Sequence, residues 1–220
     1  IVTPEDSTLA TVVDHTGVDA VSKLIEAKDE TSFVVTRDST LVISSGTWAW
    51  RRLTVGGGVD LDEHFTLTFN AGNVVVSAFG ESSDPIDVSS FDQIVFDGGN
   101  GNDTLTIVGD PSMPIYAVGG AGDDHVEGGN DESYLFGGTG NDTLVAGSGT
   151  TYLFGNSGND TYTFSDAWGT ATISEIPGDG EDAIDFSGVT TDLEVNLRGV
   201  TTTTGGTVSH LANSIENVIG

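Results

Sequence analysis

The chain of 220 residues contains no cysteine, and its 6 lysines and arginines face 34 aspartates and glutamates, which gives a formal net charge of −28. The absence of cysteine excludes disulfides, thiolate metal sites and cysteine nucleophiles. Residues 53–197 contain no lysine or arginine at all. This charge excludes binding to a nucleic-acid backbone, which requires a basic surface.

The sequence also lacks any apolar run of about 18 residues, and its first residues lack the basic-then-apolar order of a signal peptide. We therefore expect neither a membrane span nor a secretory leader. Hydrophobic residues make up 36% of the chain and charged residues 18%, so it can bury a core and does not read as an acidic disordered tail. Without disulfides, a metal ion is the leading candidate to stabilise such a core.

Five consecutive nonapeptides run from Gly119 to Thr163, and an isolated copy stands at residues 98–106. They read GGAGDDHVE, GGNDESYLF, GGTGNDTLV, AGSGTTYLF and GNSGNDTYT, with GGNGNDTLT as the isolated copy. In each unit, six residues rich in Gly, Asn and Asp suit a turn, and three residues such as Thr143–Val145 suit a short strand. We number the positions of each unit one to nine.

Two nonapeptides make one coil of 18 residues, and stacked coils bring their strands together at about 4.8 Å. The repeats therefore predict a two-sheet parallel roll whose interior holds the apolar residue of position eight. These residues are Leu105, Val126, Leu135, Leu144, Leu153 and Tyr162.

Because each coil has two turns, alternate nonapeptides place their turns on opposite edges. The turns that begin at residues 98, 119, 137 and 155 all have aspartate at position six, namely Asp103, Asp124, Asp142 and Asp160. The first spacing is three residues longer than one coil, which Gly109–Ser112 accommodates as a longer turn at the opposite edge. A degenerate copy at Pro177–Asp182 resumes the Asp-bearing edge. The opposite-edge turns have Ser133 and Thr151 at position six, so we expect no calcium site there.

These units resemble the RTX (repeats-in-toxin, hemolysin-type) family, whose consensus is G-G-x-G-x-D-x-U-x, with U a large apolar residue. The resemblance covers residues 97–186 and implies a right-handed parallel β-roll that binds Ca²⁺. It implies that each ion lies between two turns one coil apart. The ligands would be the carbonyls of positions two and four in the earlier turn, the carbonyls of positions one and three in the later turn, and both position-six carboxylates. Calcium accepts such flexible cages of six to eight oxygens.

Carried onto this sequence, the resemblance implies two to four calcium ions. Site 1 takes Gly120, Gly122 and Asp124 with Gly137, Thr139 and Asp142. Site 2 takes Gly138, Gly140 and Asp142 with Gly155, Ser157 and Asp160. Site 3 takes Gly99, Gly101 and Asp103 with Gly119, Ala121 and Asp124, across the longer spacing. Site 4, the most degenerate, takes Asn156, Gly158 and Asp160 with Pro177, Asp179 and Asp182.

No catalytic constellation accompanies the repeats, so we expect a non-enzymatic module. The histidines are scattered, and Glu63–His64 has no second histidine at helical spacing, which excludes an H-E-x-x-H zinc site. No loop matches an EF-hand, and Gly147–Gly149 is a repeat turn and not a nucleophile elbow.

An aromatic stripe is predicted on the outer face of one sheet, because Leu135 and Leu153 point inward and their neighbours alternate outward. The stripe comprises Tyr116, Tyr134, Phe136, Tyr152 and Phe154. It could contact a glycan or a protein partner. Alternatively, it packs against the N-terminal segment or forms a stabilising cross-strand ladder, which we favour.

The predicted fold class is all-β, with four segments. Residues 1–33 contain a possible short capping helix, from Asp19 to Glu30. Residues 34–96 form irregular β-rich coils or a small β domain, residues 97–186 form the RTX β-roll, and residues 187–220 form a C-terminal β segment. Because Ser214–Gly220 resembles a strand that leads into another RTX block, we expect the chain to be a fragment of a longer protein.

The functional expectation is calcium-dependent folding outside a bacterial cell. Without metal, the stacked carboxylates repel one another, which favours an expanded chain. Millimolar extracellular calcium would drive folding, and the resemblance implies type I secretion in a calcium-poor, unfolded state. The alternative is an adhesin or polysaccharide-recognition module that uses the aromatic stripe.

Overall fold

The computed structural model describes residues 34–37, 39–44, 62–78, 80–166, 168–175, 180–194, 200–203, 206–210 and 215–220. The helix predicted from Asp19 to Glu30 lies outside these residues. The described chain is nearly all strand, with one 3₁₀ turn at Val88–Ser90. In this part of the chain, no helix is long and apolar enough to cross a membrane.

Twenty strands are present in the described residues. Those before the repeats are β1 (Val34–Arg37), β2 (Thr40–Ser44), β3 (His64–Asn70), β4 (Asn73–Ala78), β5 (Glu81–Ser82) and β6 (Ile86–Asp87). Those of the repeats are β7 (Gln93–Asn100), β8 (Thr104–Val108), β9 (Ile115–Ala121), β10 (His125–Glu127), β11 (Ser133–Thr139), β12 (Thr143–Val145), β13 (Thr150–Ser157) and β14 (Thr161–Ser165). The remainder are β15 (Thr170–Ile173), β16 (Ala183–Gly188), β17 (Leu193–Glu194), β18 (Val200–Thr203), β19 (Thr207–Ser209) and β20 (Asn217–Ile219).

Successive strands of the repeats alternate between two sheets, so the chain winds as a roll. Sheet A has the order β1-β2-β7-β9-β11-β13-β15-β19-β18-β17, and sheet B has the order β20-β16-β14-β12-β10-β8-β3-β4-β5, with β6 also paired to β4. Neighbouring strands from β7 to β16 pair in parallel. The predicted all-β parallel roll is therefore confirmed.

The coils differ in length along the roll. In the middle, Leu135 pairs with Leu153, which is one coil of 18 residues. Toward the N-terminal end, Leu105 pairs with Val126, 21 residues later. Toward the C-terminal end, Tyr162 pairs with Ile184, 22 residues later. The extra residues are accommodated in turns, so the apolar column stays in register.

The core lies between the two sheets and contains the predicted position-eight column. All six of these side chains are at most 1% exposed. Burial of each large apolar side chain contributes about 1.5–3 kcal/mol. Aromatic clusters fill both ends of the core, with Phe65 against Phe96 at one end and Phe164, Trp168 and Phe186 together at the other.

The segment before the repeats joins the same two sheets. Strand β2 pairs in parallel with β7, and β3 pairs in parallel with β8. At this end both sheets finish in antiparallel strands, β1 beside β2 and β4 beside β3. At the other end, sheet A finishes in the antiparallel strands β18 and β17, whereas sheet B finishes in β20, which is parallel to β16.

Candidate metal-binding edge

The five position-six aspartates line up along one edge of the roll. Each stands just before a strand of sheet B, because the turn ends there and the strand begins at position seven. Asp103, Asp124, Asp142, Asp160 and Asp182 are at most 4% exposed. Strand pairing therefore stacks buried carboxyl groups one coil apart.

A hydrogen-bond ladder holds these carboxyl groups in place. Each position-six amide donates to the Oδ1 atom of the aspartate one coil later, as from Asp124 to Asp142 at 2.8 Å. The same bond links Asp103 to Asp124 at 2.7 Å, Asp142 to Asp160 at 2.8 Å and Asp160 to Asp182 at 3.0 Å. The ladder fixes the position of each carboxylate and uses one of its two oxygens.

The second oxygen of these carboxyl groups points into the turn. Within the described residues, the buried Oδ2 atoms of Asp103, Asp124 and Asp142 have no hydrogen-bond partner. Each faces the Cα of the position-one glycine of its own turn, so a Cβ at Gly119 or Gly137 would overlap it. A buried carboxylate oxygen without a donor is costly unless a cation or a proton satisfies it.

The glycines of positions two and four direct backbone carbonyls toward the next coil. Gly138 has a φ of 125°, and a Cβ there would overlap the carbonyl oxygen of Gly120. Gly140 has a φ of 127°, and its Cβ would overlap the carbonyl oxygen of Gly122. L-residues rarely adopt this backbone conformation, so glycine is required both for the turn and for the close approach of the carbonyls.

The carbonyls and carboxylates together form a cage of oxygen atoms. Within the described residues, no group of three or more His, Cys, Asp or Glu side chains is placed to hold a metal ion. An ion at this edge therefore takes most of its ligands from backbone carbonyls and two from carboxylates. Calcium accepts such a ligand set, with six to eight oxygens in a flexible geometry. The residues present fit this ion.

The electrostatics of the edge favour a cation. Burial raises the pKa of both Asp124 and Asp142 to about 7, against the hydrogen bond each receives from the preceding amide, and neighbouring carboxylates add to the increase. Burial, and then the neighbouring Glu63 carboxyl group, raise the pKa of Asp103. No lysine or arginine lies between residues 53 and 197 to offset these charges.

The structure places most of the predicted ligands together. For sites 1 and 2, Gly120 pairs with Gly138, Gly138 pairs with Asn156, and Thr139 pairs with Ser157. For site 3, Gly99 pairs with Gly120 in spite of the longer spacing, because the additional residues lie in the opposite-edge turn around Asp110.

Site 4 is described only in part, because Pro177 and Asp179 lie outside the described residues. Asp182 continues the ladder, and a Cβ at Gly180 would overlap the carbonyl oxygen of Gly158. The position-four and position-six elements of this turn therefore face the turn of Gly155–Asp160. The ligands expected from positions one and three stay predictions.

The opposite edge has hydroxyl groups where this edge has carboxylates. The Ser133 hydroxyl accepts a hydrogen bond from the amide of Gly129 at 3.0 Å, and the Thr151 hydroxyl accepts one from Gly147 at 3.2 Å. Both bonds close a turn locally. These neutral groups satisfy their own turns, so the chemistry that favours a divalent cation is absent from these two turns.

Three glutamates extend or flank the acidic column, and the sequence analysis did not single them out. Glu63 and Glu216 occupy the position before β3 and β20 and bond into the ladder, at 2.9 Å from the Glu63 amide to Asp103 and 2.9 Å from the Asp182 amide to Glu216. Glu175 is buried, and its Oε1 atom accepts from the Gly155 amide at 3.0 Å. The available signal was an acidic residue directly before a polar–apolar strand pair, as in Glu63–His64–Phe65.

A second ladder runs along the same edge in the opposite direction and was also not predicted. The position-five side chain accepts from the position-five amide one coil later, as from Asn141 to Asp123 at 2.7 Å and from Asn159 to Asn141 at 3.0 Å. Asp123, Asn141 and Asn159 are exposed. Position five therefore stacks the turns from outside, while position six stacks them from within.

The aromatic stripe lies on the outer face of sheet A, as predicted, and its rings stack on one another. Tyr134 lies between Tyr116 and Tyr152, with ring centroids 4.7 Å away on each side. Phe136 stacks on Phe154 at 4.6 Å and is only 6% exposed. Because the ring faces cover each other, mainly ring edges remain for a ligand. This geometry favours the cross-strand ladder over a glycan-stacking platform.

The comparisons agree with the repeat geometry. The model of the RTX calcium-binding nonapeptide repeat matches four copies, at residues 95–106, 118–153 and 133–162. The chain therefore contains an array of RTX repeats, and this stretch is a calcium-binding repeat module. A search of curated proteins and a search of solved structures found no match.

Proposed function

We propose that Ca²⁺ ions bind between successive turns of the Asp-bearing edge and complete the fold of the roll. The observation that carries this proposal is the column of buried Oδ2 atoms without hydrogen-bond partners, on Asp103, Asp124 and Asp142, each beside backbone carbonyls directed at the next coil. Sites 1, 2 and 3 have all their ligand positions within the described residues. Site 4 adds a fourth ion where the turn ending at Asp182 supplies the remaining ligands.

The role of this module is conditional folding and not catalysis. Calcium that binds only the folded roll stabilises it by mass action, and the gain increases with the calcium concentration. Calcium at extracellular, millimolar concentrations would hold the roll folded. Low calcium inside a cell would leave the carboxylate column unneutralised and the chain loose. RTX repeats are typical of secreted bacterial proteins, which supports secretion by the type I route and an extracellular location.

Counting bound ions in variants tests the sites directly. Asp142 belongs to both site 1 and site 2, so Asp142→Asn should remove two calcium ions from the count measured by native mass spectrometry. Asp123→Asn is the matched control, because it removes the same charge one coil earlier and keeps the Oδ1 acceptor of the outer ladder. Asp123→Asn should retain the wild-type count. A wild-type chain that binds no calcium, or equal losses in the two variants, would contradict the proposal.

A further inference from the structure

The C-terminal end of the roll is a step and not a flat surface. Strands β19 and β20 lie at the same level, because β19 follows β15 in sheet A and β20 follows β16 in sheet B. Beyond that level sheet A continues with β18 and β17, whereas among the described strands sheet B has none after β20. Sheet A therefore overhangs sheet B by two strands.

The lower level of the step exposes apolar side chains and an open strand edge. Within the described residues, the exposed large hydrophobic side chains are Val108, Val218 and Ile219, and two of them lie on β20. Val218 occupies an inward position and is still 38% exposed. The Asn217 amide donates toward the preceding coil, to the Asp182 carbonyl, so by alternation the Val218 amide faces away from β16.

Such an edge is exceptional in this molecule. The other three sheet ends finish in antiparallel strands, which interrupt the parallel coil. Natural proteins block exposed edges because an open edge with apolar residues pairs with another strand. Strand β20 has one neighbour among the described strands, and it lacks an antiparallel strand of its own.

We propose that the open level of the step is the docking site of a second copy of this chain, which binds tail to tail about a twofold axis. A twofold rotation that exchanges the two sheets places the overhanging β17–β18 pair of each copy opposite the missing strands of the other. Both the overhang and the gap are two strands deep, so each step fills the other. Strand β20 of one copy then lies beside β17 of its partner, twice, in an isologous interface.

A head-to-tail arrangement fits less well. At the N-terminal end, β2 and β3 lie at one level, beyond which sheet A adds only β1 and sheet B adds β4 and β5. Sheet B therefore overhangs by one strand, which is too short for a gap of two strands. The strand order thus favours a closed dimer over an open fibre, and this inference does not depend on the calcium sites.

Charge opposes the association and sets the conditions for its measurement. Each copy carries a formal charge of −28, so two copies repel one another at low ionic strength. Salt screens this repulsion, because the Debye length is about 8 Å at 0.15 M. The interface is small, so we expect a weak dimer whose population depends on protein concentration.

Analytical ultracentrifugation of the whole chain, in calcium and physiological salt, tests the dimer. The measured mass should rise from 22.7 kDa to twice that value as the concentration increases. Val218→Lys should weaken dimerisation at least tenfold. The matched control is Val108→Lys, which changes an equally exposed valine to the same charged residue on a strand away from the step and should dimerise like wild type.

A second variant covers the case in which a lysine at position 218 disturbs the fold. Val218→Pro removes only the amide that faces the open edge, and circular dichroism should show an unchanged β signal together with a weakened dimer. Three outcomes would overturn the proposal. They are a wild-type chain that stays monomeric, a dimer weakened equally by the Val108 and Val218 substitutions, and assemblies that grow beyond two copies.

Discussion

At the residue scale, each position-six aspartate uses its two carboxylate oxygens differently. In Asp142, Oδ1 accepts the amide of Asp124 at 2.8 Å, while Oδ2 is buried without a described donor. The hydrogen bond orients the carboxyl group, and the second oxygen remains available for a cation. Glycine is required at Gly137, because a Cβ there would overlap that oxygen. The consensus thus has a separate physical reason for its glycine and for its aspartate.

The protonation of these aspartates predicts how pH acts on the metal-free chain. Burial raises the pKa of Asp124 and of Asp142 to about 7 in the folded state, above the ordinary value of 3.8. The folded state therefore holds these protons more tightly than the unfolded state. Their stabilising effect is fully present in acid and is lost as the pH rises through about 7. In chelator, we expect a stronger β signal in far-UV circular dichroism at pH 5 than at pH 8.

Calcium should reverse this dependence, since its ligands must be deprotonated. The apparent calcium affinity is expected to fall as the pH decreases below about 7. Asp142→Asn removes one of the titrating groups and should reduce the pH dependence of the chelated chain. A metal-free chain that is more folded at pH 8 than at pH 5 would show that other carboxyl groups dominate.

At the element scale, the roll depends on strands that are too short to be stable alone. Strands β10 and β12 contain three residues each, and each buries one large side chain, Val126 or Leu144. The alternation of residues and the nonapeptide period were sufficient to predict these strands and their inward residues. The pairing of β2 with β7 and of β3 with β8 could not be predicted, because no repeat connects those segments and strand pairing over about 40 residues leaves no local pattern.

The aromatic stripe provides a test at the same scale. Tyr134 stacks on two rings, whereas Tyr152 stacks on one other tyrosine, and each aromatic pair contributes about 0.5–1.5 kcal/mol. Tyr134→Ser should therefore lower the free energy of unfolding more than Tyr152→Ser, both measured by urea denaturation in calcium. The hydrogen bond from the Tyr134 hydroxyl to Glu132 adds to this difference.

Binding data would separate the two interpretations of the stripe. If both tyrosine variants keep wild-type stability but lose contact with a glycan or a protein, the stripe is a recognition surface. Equal destabilisation by the two substitutions would contradict the stacking argument. The stacked ring faces lead us to expect the unequal loss of stability.

At the scale of the whole molecule, the acidic composition and the roll are two aspects of one design. A formal charge of −28 and a column of buried carboxyl groups destabilise a compact chain, unless cations neutralise the column. The period and the position-six aspartates predicted the Asp-bearing edge, since repetition places equivalent residues together. Glu63, Glu175 and Glu216 were not predicted, because they stand where the consensus is interrupted. The step at the C-terminal end follows from strand order, which the repeat pattern does not encode.

The most direct test of the central claim is far-UV circular dichroism of the chain during a calcium titration. The titration begins in chelator and ends at about 10 mM calcium, a range that includes the affinities of extracellular modules, with magnesium as the control. We predict a cooperative gain of β signal with calcium and none with magnesium. A chain that is already fully folded in chelator at neutral pH, and unchanged by calcium, would contradict the proposal that calcium completes the fold.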